Sequence, residues 1–190
     1  MRKFVAIATL SMFSSFVSAD WTLDQKNSDF SFSSIKKSQV LENHSFNRFS
    51  GSIDESGKAT LTLDLTTVNT GIEIRDQRMQ NMLFETGKFA QASFTTMVDA
   101  KNLDALAVGT VSTQKVTGEL NLHGMKKEIT ADLNVIKLAD NKLLVSTAKP
   151  ISINAADFAL DAGVTALREV AKLPSISFAV PVSFNLTFTK

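Results

Sequence analysis

The chain has 190 residues, with 20 basic and 19 acidic side chains, 14 phenylalanines, and no cysteine or tyrosine. The lack of cysteine excludes disulfides, thiol catalysis and thiolate metal sites, so stability must come from packing. The near balance of charge gives no reason to expect nucleic acid or an anionic membrane as a partner.

The first 19 residues have the organisation of a secretory signal peptide. Arg2 and Lys3 precede an apolar run that ends in small residues at positions 17–19. A membrane anchor is the alternative, but serines interrupt the run and it is short for a spanning helix. We therefore expect cleavage before Asp20, export, no stable membrane insertion, and a mature domain of residues 20–190 with 18 basic and 19 acidic side chains.

Most of the mature sequence alternates apolar and polar residues with period two, which is the pattern of half-buried β-strands. Strands are predicted at residues 28–33, 46–53, 58–66, 88–98, 116–122, 129–135, 143–153 and 176–188. Polar turns separate most of them, and residues 101–104 are predicted to be a loop. Strands this close in sequence pair most simply as antiparallel neighbours.

The last predicted strand is the most regular feature, because apolar residues alternate from Ile176 to Phe188. At about 3.3 Å per residue it would be roughly 40 Å long, which suits a strand that closes a curved barrel against the first strand. Pro181 implies a bulge or an edge gap. We predict an all-β fold, an antiparallel up-and-down barrel with one or two short helices at its ends. Such a barrel is filled by its own side chains or holds a small ligand.

A short helix interrupts the strands within residues 71–94. Met79, Met82 and Leu83 follow the i, i+3, i+4 spacing of a helix, and Arg75 and Arg78 fall on the same side. This face could close over an apolar ligand with a charged end. It could also plug the barrel, with each arginine in solvent or paired with a neighbouring acid, Asp76 or Glu73.

A second helix is predicted at residues 161–173. Val164, Leu167 and Val170 recur at helical spacing. Asp161 stands where a capping residue belongs, and Pro174 cannot continue the helix.

Little in the sequence favours catalysis, which needs a nucleophile with a base, a tuned acid and base, or a metal. The chain has two histidines, His44 and His123, and no nucleophile-elbow, zinc-protease or phosphate-loop motif. His123 lies in a turn between strands, where a ring most often forms a hydrogen bond to the backbone. We expect no enzymatic activity and no cofactor; a metal or haem site that uses both histidines is the alternative.

Four segments, in order, resemble the YceI family. They are WTLD at residues 21–24 with SDFSF at 28–32, NTGIEIRDQRMQNMLF at 69–84, KFAQASF at 88–94 and GELNLHGMKKE at 118–128. The resemblance implies a periplasmic, lipocalin-like barrel whose apolar cavity holds a polyisoprenoid lipid such as a quinone or a polyprenyl phosphate. It also implies a homodimer as one assembly state.

The resemblance turns the two faces predicted above into a candidate binding site. An apolar wall would supply area for the tail, the methionines would adapt to its length, and an arginine would contact its polar end. The residues assigned to ligand binding are Arg75, Arg78, Met79, Met82, Leu83, Phe94, Leu120, Leu133, Phe178, Val180, Val182 and Phe184. The alternative function is a structural or interaction module whose barrel is filled and holds no ligand.

The chain departs from the family pattern in two places, which marks it as a divergent member. Asn27 stands where the family usually has a histidine before its first strand. A late Arg-x-Asp-Phe-Gly stretch of the family is represented by residues 153–159, which keep Asp157 and Phe158 but lack the arginine and the glycine. Asn27 and Asn154 are therefore the positions at which the ligand contacts could differ.

Overall fold

The computed structural model describes residues 20–190, and the predicted signal peptide lies outside the described residues. In this range twelve strands form a single antiparallel sheet. They are β1 Trp21–Leu23, β2 Asp29–Lys36, β3 Val40–Phe46, β4 Phe49–Ile53, β5 Lys58–Asp64, β6 Val68–Asn69, β7 Gln91–Met97, β8 Val111–Leu122, β9 Met125–Ala139, β10 Lys142–Thr147, β11 Ile151–Asn154 and β12 Ala179–Thr189. The α-helices are α1 Glu73–Arg78, α2 Ala100–Ala105 and α3 Asp161–Val170.

Eight of the strands close into a barrel, which confirms the predicted fold. Their order is β1, β4, β5, β7, β8, β9, β10 and β12, and β12 pairs back onto β1. The closing register places Leu23 opposite Phe188. The remaining four, β2, β3, β6 and β11, extend the sheet beyond the closed ring.

Strand β12 borders four other strands, which explains its length. Its first half pairs with β11 and its second half with β10, while β2 and β1 lie along its other side. Registered pairs with β2 end at Val182, beside Pro181, which has no N–H to donate. The edge gap predicted at the proline is therefore present. The strand begins at Ala179, and Ile176 makes only an isolated bridge with Lys36.

One end of the barrel is covered by α2, where the prediction of a polar loop is wrong. The carboxylate of Asp99 accepts a hydrogen bond from the N–H of Asn102 (3.1 Å) and caps the helix. Leu103 is 4% exposed and packs into the barrel core. A helix this short would not form alone, so burial of this leucine stabilises it.

The other end is covered by α1, a π-helical turn at Met79–Leu83 and α3. In the π-turn the N–H of Phe84 donates to the carbonyl of Met79, five residues earlier (2.9 Å). The predicted second helix is present as α3 but is shorter, and Asp161 is its first residue rather than a side-chain cap. Within residues 20–190, no helix combines the length and apolar character needed to cross a bilayer.

Candidate functional site: an apolar cavity with a charged mouth

The barrel encloses a cavity of about 600 Å³, within the size range of small-molecule sites. Inward-facing residues of β5, β7, β8, β9, β10 and β12 supply its wall, so the barrel is not filled by its own side chains. Ten of the twelve residues assigned to ligand binding line it: Arg75, Arg78, Met79, Leu83, Phe94, Leu120, Leu133, Val180, Val182 and Phe184.

The other two assigned residues, Met82 and Phe178, are not part of the lining. The π-turn places one extra residue in the helical ladder, so regular helical spacing assigns Met82 to the wrong face. Phe84, which was not assigned, lines the cavity beside Leu83. Phe178 precedes β12, outside the alternation of the strand, and is 42% exposed.

The cavity opens between α1 and the end of α3. Three aliphatic side chains there, Ile72, Ile74 and Val170, line the cavity and are also exposed. Leu103 of α2 closes the opposite end; it is buried and also lines the cavity. The site is therefore a deep pocket that opens at the α1 and α3 end.

Four polar residues at this opening form a group that we call the mouth cluster: Lys36, Glu42, His44 and Arg75, all of which line the cavity. The carboxylate of Glu42 joins two elements, because it lies 2.8 Å from Lys36 Nζ on β2 and 3.0 Å from Arg75 Nη1 on α1. The hydrogen bond from Lys36, helped by the charge of Arg75, lowers the pKa of Glu42 and keeps it ionised.

The partner of Arg75 is not one of the neighbouring acids considered above. Besides Glu42, the guanidinium donates to the carbonyl of Thr70 (2.6 Å). Asp76 is occupied elsewhere and accepts a hydrogen bond from the N–H of Thr70 (2.8 Å). The contact between Arg75 and Glu42, which are 33 residues apart in sequence, thus fixes the helix against the sheet.

His44 is buried, at 5% exposure, and lies two residues after Glu42 on the same face of β3. Its Nε2 lies 2.8 Å from the hydroxyl of Ser34. Ser34 is two residues along β2 from Phe32, which is the residue directly opposite His44 in the sheet. Burial, and secondly the charge of Arg75, lower the pKa of His44. The ring is therefore neutral at pH 7.

Two atoms of the mouth cluster are buried without a hydrogen-bond partner within residues 20–190: Nε of Arg75 and Nδ1 of His44. Both atoms are enclosed by protein, so the polar contacts that the site offers a ligand come from the charged groups that line the cavity. Lys36, Glu42 and His44 were missed as site residues. A usable signal was present, because Glu42 and His44 alternate with Phe46 and so share the inward face of a strand.

Comparison with known proteins decides the family. A family model described as the YceI-like domain matches residues 21–188. The chain belongs to the YceI-like family. Among solved structures, a polyisoprenoid binding domain from Saccharophagus degradans, implicated in plant cell wall breakdown, is 41% identical with a TM-score of 0.87, covering 89% of this chain and 97% of that one.

Two solved structures of lower sequence identity have the same fold as this YceI-like protein. BcnA of Burkholderia cenocepacia is 19% identical with a TM-score of 0.67, covering 87% of this chain and 98% of its own. The YceI protein of Campylobacter jejuni is 22% identical with a TM-score of 0.53, covering 80% and 89%. No curated protein sequence matches the chain.

The second histidine of this YceI-like protein has a structural environment. His123 Nδ1 lies 3.2 Å from the carbonyl of Phe158, as predicted for a ring that bonds to the backbone. Its Nε2 lies 3.4 Å from a Glu85 oxygen, and its ring centre is 4.5 Å from that of Phe89. These contacts are separate from those of His44. Within residues 20–190, no three candidate ligands are grouped closely enough to hold a metal ion.

Asn27 and Asn154 lie outside the cavity lining, whereas Ile153 and Ala155 of the second departure are part of it. Asn27 ends the turn between β1 and β2, where its amide donates to Asp24 Oδ2 (2.7 Å). Asn154 caps the turn Ala155–Phe158 by accepting from the N–H of Ala156 (3.2 Å). Both asparagines therefore stabilise local backbone structure.

Proposed function

We propose that this YceI-like protein is an exported, non-enzymatic carrier that holds one isoprenoid lipid, of quinone or polyprenyl phosphate type, in the barrel cavity and shields it from water in the periplasm. One observation carries the proposal: the cavity wall is apolar, while the charged side chains of Lys36, Glu42 and Arg75 that line it are grouped at the mouth. The 41% identical structure described as a polyisoprenoid binding domain supports the same ligand class.

The energetics of a carrier fit this arrangement. Burial of an apolar chain contributes roughly 0.8 kcal/mol per methylene group, so a tail of several isoprene units can bind without specific polar contacts. The inward side chains of β12, among them Val180, Val182 and Phe184, would contact the tail along its path into the barrel. Leu103 of α2 would limit how deeply the tail enters the barrel.

The mouth cluster suits the polar end of such a lipid. Lys36 and Arg75 share one carboxylate, Glu42, and Arg78 also lines the cavity. Three cations and one anion leave a surplus of positive charge, and the guanidinium and ammonium groups are hydrogen-bond donors only. A quinone carbonyl or a phosphate oxygen, each an acceptor, would complete the cluster.

The experiment is native mass spectrometry of the protein purified from a periplasmic fraction, with organic extraction of whatever is bound. The variant Ala131→Trp adds bulk to the inner face of β9, where Ala131 lines the cavity. Its matched control is Thr130→Trp, one residue earlier on the same strand and exposed to solvent. Both variants are checked for folding by circular dichroism.

We expect a stoichiometric mass shift that extracts as a prenyl lipid from the wild type and from Thr130→Trp, and at least a tenfold loss of it in Ala131→Trp. A protein that is free of lipid, and that stays free when ubiquinone and undecaprenyl phosphate are added, would contradict the proposal. Equal loading of all three proteins would place the lipid outside the barrel.

A further inference from the structure

Exposed aliphatic side chains are concentrated around the mouth. Of the eleven large apolar residues that are exposed within residues 20–190, five lie on the three segments that border the opening, and each is between 41% and 55% exposed. These five, which we call the mouth rim, are Val40, Leu41, Ile72, Ile74 and Val170.

The three segments are fixed to one another. Glu42, next to Leu41 on β3, pairs with Arg75 of α1 at 3.0 Å. The hairpin between β2 and β3 is tied to the segment after α3, because the N–H of Lys37 donates to Ser175 O (3.0 Å) and the N–H of Ser177 donates to Ile35 O (2.9 Å). The rim is thus a preformed surface and not a set of separate loops.

The charge of this surface differs from that of the rest of the protein. The bordering segments, residues 36–42, 72–78 and 168–173, contain six basic and four acidic side chains. Residues 20–190 together contain 18 basic and 19 acidic side chains, so the remainder is net negative. Exposed apolar side chains combined with an excess of positively charged side chains are typical of a surface that binds an anionic lipid interface.

We propose that the mouth rim docks on an anionic bilayer surface, from which the protein withdraws its lipid directly into the cavity. This inference rests on the proposed function, because a polyisoprenoid tail resides in a bilayer and not in water. Ile72, Ile74 and Val170 belong both to the rim and to the cavity lining. A rim seated in the headgroup region would therefore give the tail an apolar path into the barrel.

The test measures vesicle binding and lipid withdrawal separately. Vesicles of phosphatidylethanolamine and phosphatidylglycerol containing ubiquinone are mixed with the mature protein, and flotation on a sucrose gradient measures docking. The quinone recovered with vesicle-free protein measures withdrawal. The rim variant is Val40→Glu with Leu41→Glu, since neither residue lines the cavity. The control is Val108→Glu with Val111→Glu; Val108, in the turn before β8, is 57% exposed, and Val111, the first residue of β8, is 59% exposed.

We expect the wild type and the control to float with the vesicles, and the rim variant to withdraw quinone at least tenfold more slowly. All three should bind quinone equally when it is delivered from detergent. The milder variant Leu41→Ser, which removes apolar area without adding charge, should show an intermediate rate and weaker flotation.

Withdrawal by the rim variant at the wild-type rate would overturn the inference. The inference would also be overturned if the wild type were a dimer that does not float and the rim variant were a monomer. The rim would then be an interface between two copies of the chain. If no protein binds quinone from detergent, the proposed function fails, whereas flotation still decides whether the rim docks on a membrane.

Discussion

Ala159 adopts a backbone conformation that a residue with a Cβ rarely occupies. Its φ is +53°, in the left-handed region, and it follows Asp157 and Phe158, where the family pattern has glycine. The left-handed conformation costs an alanine roughly 1 kcal/mol or more, partly offset by the greater freedom of glycine in the unfolded chain. We predict that Ala159→Gly raises the free energy of unfolding, measured in urea, by about 0.5–1 kcal/mol.

The matched control for this substitution is Ala162→Gly, an exposed position in α3. Glycine loses more backbone freedom on folding than alanine does, so Ala162→Gly near the start of α3 should be mildly destabilising and the two variants should differ in sign. If Ala159→Gly destabilises the protein as much as the control does, the left-handed conformation is not strained in this chain.

At the residue scale, the sequence predicted the wall of the site better than its mouth. Val180, Val182 and Phe184 were assigned to the interior because alternation persists along a strand whatever its neighbours are. Glu42 and His44 share the inward alternation of Phe46, but their contacts at the mouth depend on the register between β2 and β3 and on a helix about 30 residues away. Local patterns do not encode such contacts.

Helix α3 lies unusually close to the π-turn, and a glycine makes that approach possible. A Cβ on Gly163 would lie 2.6 Å from Met82 O and 2.8 Å from Leu83 Cα, both backbone atoms that cannot move aside alone. We predict that Gly163→Ala lowers the free energy of unfolding by about 1–3 kcal/mol, as other overpacked positions do. Gly87→Ala is the control, since no atom lies within 4 Å of its Cβ position. Equal stability of the two variants in urea would show that α3 can shift away from the π-turn without cost.

At the element scale, most barrel strands, α1 and α3 were predictable, whereas β3, α2 and the π-turn were not. Long alternating runs identified β12 and the barrel, since a period of two that persists over many residues matches a strand and not a helix. The six-residue α2 depends on one cap and one buried leucine, and the π-turn changes the spacing on which helical patterns rest. Both are selected by tertiary packing.

The whole molecule is a closed barrel without disulfides around a space that its side chains do not fill. Part of its core is therefore only half-buried, as for Leu61, Phe94, Leu120 and Phe184. A ligand that covers these side chains adds the burial that the folded chain lacks. Stability and loading are thus coupled by mass action.

We predict that loading raises the midpoint of thermal unfolding, measured by calorimetry on delipidated and reloaded protein. At a ligand concentration one hundred times Kd the gain is about 2.7 kcal/mol, or roughly 5–10 °C for a domain of this size. A reductant should change neither midpoint, because the chain has no cysteine. Ala131→Trp should show no shift on addition of ubiquinone, while Thr130→Trp should follow the wild type. The same shift in Ala131→Trp would mean that the lipid stabilises the protein from outside the cavity.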